Sequence, residues 1–239
     1  SLVCSHGITH NSQVFDFLAE SLLDEYSIHC PDMLGRGKSD WLINKLEYYF
    51  ATYVNVMQQY LEYHGIGQTD WIGTSMGGII GVLLASMDNS PIRKLVLNDV
   101  GPISPKSNNQ ICKIIADQLP EGFASRAEAD EYFALSMRLA GVDRPELQKR
   151  FVSCMIESDA EKGFVLKYDP GVFAYTRELP EYNDIDVTYW DEWAKVTCPV
   201  LVLHGKDSFV LTEEIIEKMH STHCNMQVVE FEGVGHAPH

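Results

Sequence analysis

The sequence predicts an α/β fold with a mostly parallel, doubly wound sheet and a helical cap inserted between two of its strands. Two observations over its 239 residues support this prediction. Short strand-like runs alternate with longer helical patterns, and strands separated by single helices require crossover connections. Two of the runs, residues 95–97 and 200–203, are apolar throughout, as in strands buried on both faces.

The predicted strands and helices alternate along the chain. The strands cover residues 2–5, 27–30, 70–73, 94–98, 198–204 and 227–231. The helices cover residues 14–23, 48–64, 76–87 and 213–220. In the second helix, the spacing of Val54, Met57 and Leu61 is typical of one buried helical face.

A long interval of mainly helical signals separates the fourth and fifth predicted strands, where an ordinary crossover is far shorter. Ser125 and Glu128 form a capping-box pattern, and Pro145 stands where a first-turn proline is favoured. We interpret the interval as a cap over the strand tips. A second domain is the alternative, but no flexible linker flanks the interval. The predicted boundaries are 1–100 and 198–239 for the core and 101–197 for the helical cap insertion.

The net charge of the chain limits the classes of binding partner that we expect. Acidic side chains number 34 against 18 lysines and arginines, which gives a formal net charge of −16. Nothing in the sequence forms a basic stripe that could neutralise phosphates. We therefore expect neither nucleic acid nor an anionic membrane surface as a partner. The expected partner is a small-molecule substrate, and assembly into a homo-oligomer stays open.

The cysteines stand singly, at positions 4, 30, 112, 154, 198 and 224. Without a Cys-x-x-Cys pair, this spacing favours free thiols in a reduced compartment, so we expect a cytoplasmic protein. No secretory leader is visible, although the chain opens directly on a predicted strand and stops three residues after His236. Both ends look clipped, so a leader could lie outside the sequence.

The strongest local motif is Gly-Thr-Ser-Met-Gly at residues 73–77, between a predicted strand and a helix. A serine on such a sharp turn is held in a strained conformation that lifts its hydroxyl clear of the sheet. The residues two positions away nearly touch across the turn, which requires glycine on both sides. The motif therefore identifies Ser75 as the candidate nucleophile. A phosphate-binding turn is the alternative, but its glycine and lysine pattern is missing here.

A serine hydroxyl needs a base, and His236 is the best placed of nine histidines. It follows the last predicted strand in a glycine-rich loop that could reach the end of the sheet where Ser75 lies. The order serine, acid, histidine along the chain also favours His236. His204, at the end of a strand, is predicted to be a packing histidine.

Two aspartates compete to be the acid that orients His236. Asp207 follows the fifth predicted strand, and Asp99 follows the fourth. Both come at the carboxyl ends of strands, where an open α/β sheet has its site, although each could be an ordinary turn or cap residue. Chain order and loop position favour Asp207, with Asp99 as the alternative acid.

An acyl-transfer reaction needs two N–H donors for its oxyanion. One is expected from Met76, directly after the nucleophile, and the other from Ile8, in the loop after the first predicted strand. This chemistry requires no cofactor and no metal. A metal hydrolase is a rival, but its potential ligands lack a recognisable spacing. These are His6, His204, Asp207 and His236.

With these motifs in place, the chain resembles the α/β-hydrolase superfamily over nearly its whole length. The likeness rests on His6-Gly7, Asp-Met-Leu-Gly-Arg-Gly-Lys-Ser-Asp at residues 32–40, the serine turn and Gly235-His236. Leu-Val-Leu-Asn-Asp-Val-Gly-Pro at 95–102 and Lys-Tyr-Asp-Pro at 167–170 are similar to bacterial carboxylesterases and lactonases with a helical cap. The resemblance implies an eight-stranded core, in which case the first two strands and a final helix would be missing from this chain.

The resemblance also implies a function. We expect a serine hydrolase that cleaves an ester-type bond of a small, mostly apolar substrate through an acyl-enzyme intermediate. The alternatives are a C–C bond hydrolase or lactonase with the same triad, and a non-hydrolytic receptor or lyase. One departure concerns the acid: the superfamily's usual loop is Gly-x-x-Asp, whereas Gly205-Lys-Asp207 is one residue shorter. Some related esterases take their acid from the position of Asp99.

Overall fold

A computed structural model describes residues 1–139, 141–142, 144–223 and 225–236, apart from the side chains of residues 135 and 139. Its strands are β1 (Leu2–Ser5), β2 (Ile28–His29), β3 (Thr69–Thr74), β4 (Ile92–Asn98), β5 (Ile103–Ser104), β6 (Ile156–Asp159), β7 (Gly163–Leu166), β8 (Val187–Thr188), β9 (Val200–Gly205) and β10 (Met226–Phe231). Six of them form the main sheet, in the spatial order β10-β9-β4-β3-β1-β2, and all five neighbouring pairs are parallel. The prediction of a mostly parallel sheet is therefore confirmed.

Helices cover both faces of the main sheet, as the doubly wound arrangement requires. They are α1 (Asp16–Leu22), α2 (Phe50–Tyr63), α3 (Met76–Ala85), α4 (Lys106–Gln118), α5 (Arg126–Leu139), α6 (Pro145–Met155), α7 (Ala174–Glu178), α8 (Trp190–Trp193) and α9 (Glu213–Thr222). On one face, Leu18 and Leu22 of α1 pack against a buried cluster that includes Leu2 and Cys4 of β1. On the other face, Trp71 of β3 donates a hydrogen bond to α3.

The first helix begins later than the sequence pattern predicts. Residues Ser12–Phe15 form a short 3-10 turn, and the α-helix starts only at Asp16. The cause is local: the Asn11 side chain accepts a hydrogen bond from the Gln13 N–H at 3.1 Å and so closes a tight turn. An asparagine competes in this way with the regular helical hydrogen-bond pattern. Among the described residues, none of the helices combines the length and apolar content of a membrane span.

The interval between β4 and β9 contains helices α4–α8 and two short antiparallel strand pairs. Part of it is tied to the core loop at residues 35–37. The Gly37 N–H donates to the Lys167 carbonyl at 2.7 Å, and the Asp169 N–H donates to the Gly35 carbonyl at 2.8 Å. The buried Asp169 carboxylate also accepts a hydrogen bond from the Tyr48 hydroxyl at 2.7 Å. These bonds hold the base of the interval beside the carboxyl ends of the strands.

Candidate active site

Ser75 lies on the turn between β3 and α3 with a φ of 51° and a ψ of −115°. A positive φ is uncommon for a residue with a side chain, so the surroundings must hold this conformation. A Cβ atom on Gly73 would collide with the backbone of Gly77, and one on Gly77 would collide with the carbonyl of Ser5. Glycine is therefore required on both sides of Ser75. Met76 starts α3, so its N–H belongs to the first helical turn, which has no partners inside the helix.

The loop after β1 runs beside this turn. A Cβ atom built on Gly7 would lie 3.8 Å from the Cβ of Ser75. Ile8 follows Gly7, and its carbonyl accepts a hydrogen bond from Nε of Arg36 at 2.8 Å. The two residues predicted as oxyanion donors, Met76 and Ile8, therefore lie on segments that meet at Ser75.

His6 holds the base of that loop. Its buried ring accepts a hydrogen bond on Nε2 from the Met33 N–H at 3.0 Å, so the proton is on Nδ1, which donates to the Gly7 carbonyl at 2.8 Å. Loss of solvation lowers the pKa of His6 to about 4. The ring is therefore neutral near pH 7, and both of its nitrogens are occupied in fixing backbone.

Arg36 is a buried cation that contacts both predicted donor residues. Besides the Ile8 carbonyl, its guanidinium donates to the Leu34 carbonyl at 2.7 Å, to the Tyr53 hydroxyl and to the Met76 sulfur at 3.4 Å. A buried charge is costly unless it is hydrogen-bonded, and these four acceptors are all uncharged. The resemblance implied only that the Gly-Arg-Gly-x-Ser segment shapes the loop beside the oxyanion site; the individual Arg36 contacts could not be predicted, because they join four separate segments of the chain.

His236 is bound to Asp99. Its Nδ1 lies 2.7 Å from the Asp99 carboxylate, and its side chain remains 22% exposed. Asp99 is fully buried, has a φ of 51° and follows β4 directly. Its carboxylate also accepts hydrogen bonds from the Gly205 N–H at 3.1 Å and from the Ser208 hydroxyl. With its Nδ1–H bound to a carboxylate, the neutral imidazole has its lone pair on Nε2, as a general base requires.

The structure corrects the preference for Asp207. The Asp207 side chain is exposed, and its described contact is through the backbone, where its N–H donates to the Val234 carbonyl at 2.9 Å. The loop explains the difference. In a Gly-x-x-Asp spacing counted from Gly205, the acid position is occupied by Ser208, whose hydroxyl reaches Asp99 instead. Ser208 was missed, although that spacing could have indicated it.

The structure does not assemble the residues proposed for the rival metal site. His204 is buried in β9, and its Nδ1 is 3.7 Å from Glu230. Within the described parts of the chain, no group of three or more histidine, cysteine, aspartate or glutamate side chains could hold a metal ion.

A cavity of about 480 Å³ lies between the sheet, α1 and α6. Its lining includes Phe15, Ile72, Thr74 and Phe151. Phe15 and Ile72 belong to the apolar cluster against which α1 packs, so the cavity is on that side of the sheet. Ser75 does not line it, and we assign it no substrate.

Comparison with known proteins identifies the fold family of the chain. The family profile described as alpha/beta hydrolase fold matches residues 1–239. The 3-hydroxybutyrate-oligomer hydrolase of Cupriavidus necator is 34% identical over 245 residues, which cover 99% of this chain and 82% of that protein. The pimeloyl-[acyl-carrier protein] methyl ester esterase of Nitrosomonas europaea is 22% identical over 249 residues, covering 99% and 88%.

Two crystal structures are similar over nearly the whole chain. A Rickettsia typhi protein superposes with a TM-score of 0.88 at 29% identity, covering 99% of this chain and 80% of its own. An alpha/beta hydrolase from Novosphingobium aromaticivorans gives a TM-score of 0.85 at 28% identity, covering 99% and 83%. The family profile and these relatives lead to one conclusion: the chain belongs to the α/β-hydrolase family.

Proposed function

We propose that the chain hydrolyses ester bonds through an acyl-enzyme formed on Ser75, with His236 as the base and Asp99 as the acid that orients it. The main support is the 2.7 Å contact between His236 Nδ1 and the buried Asp99 carboxylate. It is strengthened by the strained turn of Ser75, which presents a serine at the start of α3. Membership of a hydrolase family with esterase relatives supports the same reaction class.

The proposed reaction has two halves. The Ser75 hydroxyl attacks the ester carbonyl while its proton passes to His236 Nε2. The C–O bond of the tetrahedral intermediate then breaks, and the leaving alkoxide takes that proton to depart as an alcohol. In the second half, water gives a proton to His236 and attacks the acyl carbon. Ser75 leaves with that proton, so one ester and one water become one acid and one alcohol.

The surroundings of Ser75 favour negative charge in the transition state. The N–H groups of Met76 and Ile8 are the proposed oxyanion donors. The amino end of α3 adds the positive end of a helix dipole. The buried Arg36 guanidinium contacts both donor residues and adds a full positive charge behind them. Because these groups are fixed before the substrate arrives, little reorganisation is needed during the reaction.

For the substrate, we propose short linear esters of 3-hydroxy acids. The support is the 34% identity, over 99% of this chain, to a protein named for hydrolysis of 3-hydroxybutyrate oligomers. In such oligomers the alcohol that leaves is the hydroxyl of the next unit, so the reaction needs no chemistry beyond the scheme above. A C–C bond hydrolase or a lactonase would use the same residues, and a substrate panel separates them.

The mechanism is tested by labelling with a fluorophosphonate, which reacts with activated serines. We expect one label per chain on wild type, also in the presence of a chelator, and none on Ser75→Ala. Ser86→Ala removes another serine hydroxyl, at the end of α3, and is expected to label normally. Folded wild-type protein that takes no label, or Ser75→Ala protein that still does, would contradict the mechanism.

The substrate class is tested separately. We expect turnover of p-nitrophenyl butyrate and of a linear 3-hydroxybutyrate trimer, and none of a β-diketone. Hydrolysis of the nitrophenyl ester but not of the trimer would contradict the proposed substrate class, while the serine mechanism would still stand. Faster turnover of a lactone or a β-diketone than of both esters would favour the alternatives.

A further inference from the structure

Two cysteines lie in one apolar cluster, on segments that precede the candidate active site. β1 and β2 are parallel neighbours, with Val3 opposite His29. The next residue along each segment is a cysteine: Cys4 lies within β1, Cys30 directly follows β2, and both pack in the apolar cluster beneath α1. Adjacent strands lie about 4.8 Å apart, and disulfides join Cα atoms separated by roughly 4.4–6.8 Å. The pair therefore has the spacing for a disulfide.

The two thiols differ in reactivity. Cys4 is fully buried, whereas Cys30 is partly exposed. Hydrogen bonding from the Cys4 thiol would favour a thiolate on Cys30, which lowers the pKa of Cys30 and raises that of Cys4. A thiol with a lowered pKa and solvent access is the one that oxidants attack. Cys30 is thus suited to react first, with Cys4 beside it as the resolving thiol.

The pair is close to the loop that borders Ser75. Cys4 stands two residues before His6, and Cys30 stands three residues before Met33. The 3.0 Å hydrogen bond between the Met33 N–H and the His6 ring already joins the ends of these two strands. A covalent bond between the thiols would act on the same strand ends.

We propose that Cys4 and Cys30 form a reversible oxidation site, in which a peroxide converts the dithiol to a disulfide and slows turnover at Ser75. The Cys30 thiolate attacks one oxygen of hydrogen peroxide, forming a sulfenic acid and releasing hydroxide. The Cys4 thiol then displaces the sulfenic oxygen as water. In total, two thiols lose two hydrogen atoms and one peroxide is reduced to two waters.

The slowing has a geometric cause. The strand spacing lies within the range for disulfides but below their most common Cα separation of about 5.5–6 Å, so we expect the bond to move β1 and the segment of Cys30 apart. That shift moves the loop of Gly7 and Ile8 relative to Ser75. Because a displacement of about 1 Å at a catalytic site can cost about 100-fold, we expect at least a tenfold fall in kcat. The same strain makes the disulfide easy to reduce.

The test treats the protein with hydrogen peroxide, maps its peptides without reduction and measures kcat on p-nitrophenyl butyrate. We expect a linked Cys4–Cys30 peptide, the fall in kcat, and recovery of both with dithiothreitol. Cys30→Ser and Cys30→Ala are expected to form no link and to keep their kcat under peroxide. Cys112→Ser is the matched control and should behave as wild type, because burial raises the pKa of that thiol to about 12.

Three outcomes would overturn the proposal. One is oxidation of Cys30 to sulfinic or sulfonic acid without a linked peptide. Another is a linked peptide with unchanged kcat, which would show that the disulfide does not slow turnover. The third is an equal loss of activity in Cys30→Ala. The activity readout rests on the proposed ester hydrolysis, whereas the peptide map does not. A reduced protein inactive on the ester would therefore count against that function alone.

Discussion

Two loops at the same edge of the sheet contain an aspartate, and they place it in opposite surroundings. After β4, Asp99 is fully buried, and its carboxylate accepts hydrogen bonds from Gly205, Ser208 and His236. After β9, Asp207 is exposed and bonds through its backbone N–H. A buried carboxylate is costly unless it is hydrogen-bonded, and Asp99 has three donors, two of which come from the end of β9 and the loop after it. The proposed acid is thus distinguished by its hydrogen-bond partners rather than by its order along the chain.

Backbone strain also distinguishes Asp99 from Asp207. Ser75 and Asp99 both have a φ of 51°, and among the described residues no other non-glycine residue has a positive φ. Such conformations cost about 1–3 kcal/mol each and persist where the surroundings over-determine them. The Ser75 N–H donates to the Asn98 carbonyl at 3.3 Å, and the Asp99 N–H donates to the Leu203 carbonyl at 2.8 Å. The strained positions are therefore the ends of β3 and β4, where the nucleophile and the acid are proposed.

The largest expected effect comes from Asp99→Asn. The amide removes the charge that stabilises the His236 imidazolium and can hold the ring in the wrong tautomer, so kcat should fall about 10⁴-fold. The measurement is steady-state hydrolysis of p-nitrophenyl butyrate, with circular dichroism to show that the variant is folded. A folded Asp99→Asn variant with a kcat within tenfold of wild type would contradict the proposed difference between the two loops.

A second prediction moves the acid to the other loop. The Ser208 hydroxyl and His236 both hydrogen-bond to the Asp99 carboxylate. The double variant Asp99→Asn/Ser208→Asp therefore removes the carboxylate at position 99 and introduces one at position 208, close to His236. We expect kcat to recover about 10- to 100-fold over Asp99→Asn, because the ring regains a charged partner less well placed than the original. Ser208→Asn on the same background is the control for size and should give no recovery. Equal rates for the two double variants would show that the loop after β9 cannot supply the acid.

A smaller effect is expected from Ser208→Ala. The substitution removes one hydrogen bond to a charged carboxylate, and such bonds contribute about 1.5–3 kcal/mol, part of which relaxation recovers. We expect kcat to fall about three- to tenfold with KM unchanged, while Ser208→Thr keeps the hydroxyl and most of the rate. A change in KM alone would place Ser208 in substrate binding instead.

The smallest effect is expected from Asp207→Asn. The side chain is exposed, and substitutions at such sites change free energies by about 0.5 kcal/mol or less, so kcat/KM should stay within about twofold. The ester assay used for Asp99→Asn measures it. A loss comparable to that of Asp99→Asn would restore the preference drawn from the sequence.

Local patterns were enough to predict the architecture. Apolar runs and their spacing predicted the six strands of the main sheet, and the glycines around Ser75 predicted its sharp turn, because these features depend on neighbouring residues. The assignment of the proposed acid depends on contacts between β4, β9 and the loop of His236, which lie far apart in sequence. The same holds for the Arg36 contacts and for the pairing of Cys4 with Cys30. Such features follow from packing and are not visible in one segment alone.

The most direct test of the central claim is the rate at which a fluorophosphonate labels Ser75, followed by intact mass in wild type, Asp99→Asn and Asp207→Asn. This rate reports the nucleophilicity of the serine without assuming a substrate. With Asp99 orienting His236, Asp99→Asn should label at least about 1,000-fold more slowly than wild type, and Asp207→Asn at the wild-type rate. Rapid labelling of Asp99→Asn together with slow labelling of Asp207→Asn would contradict the account.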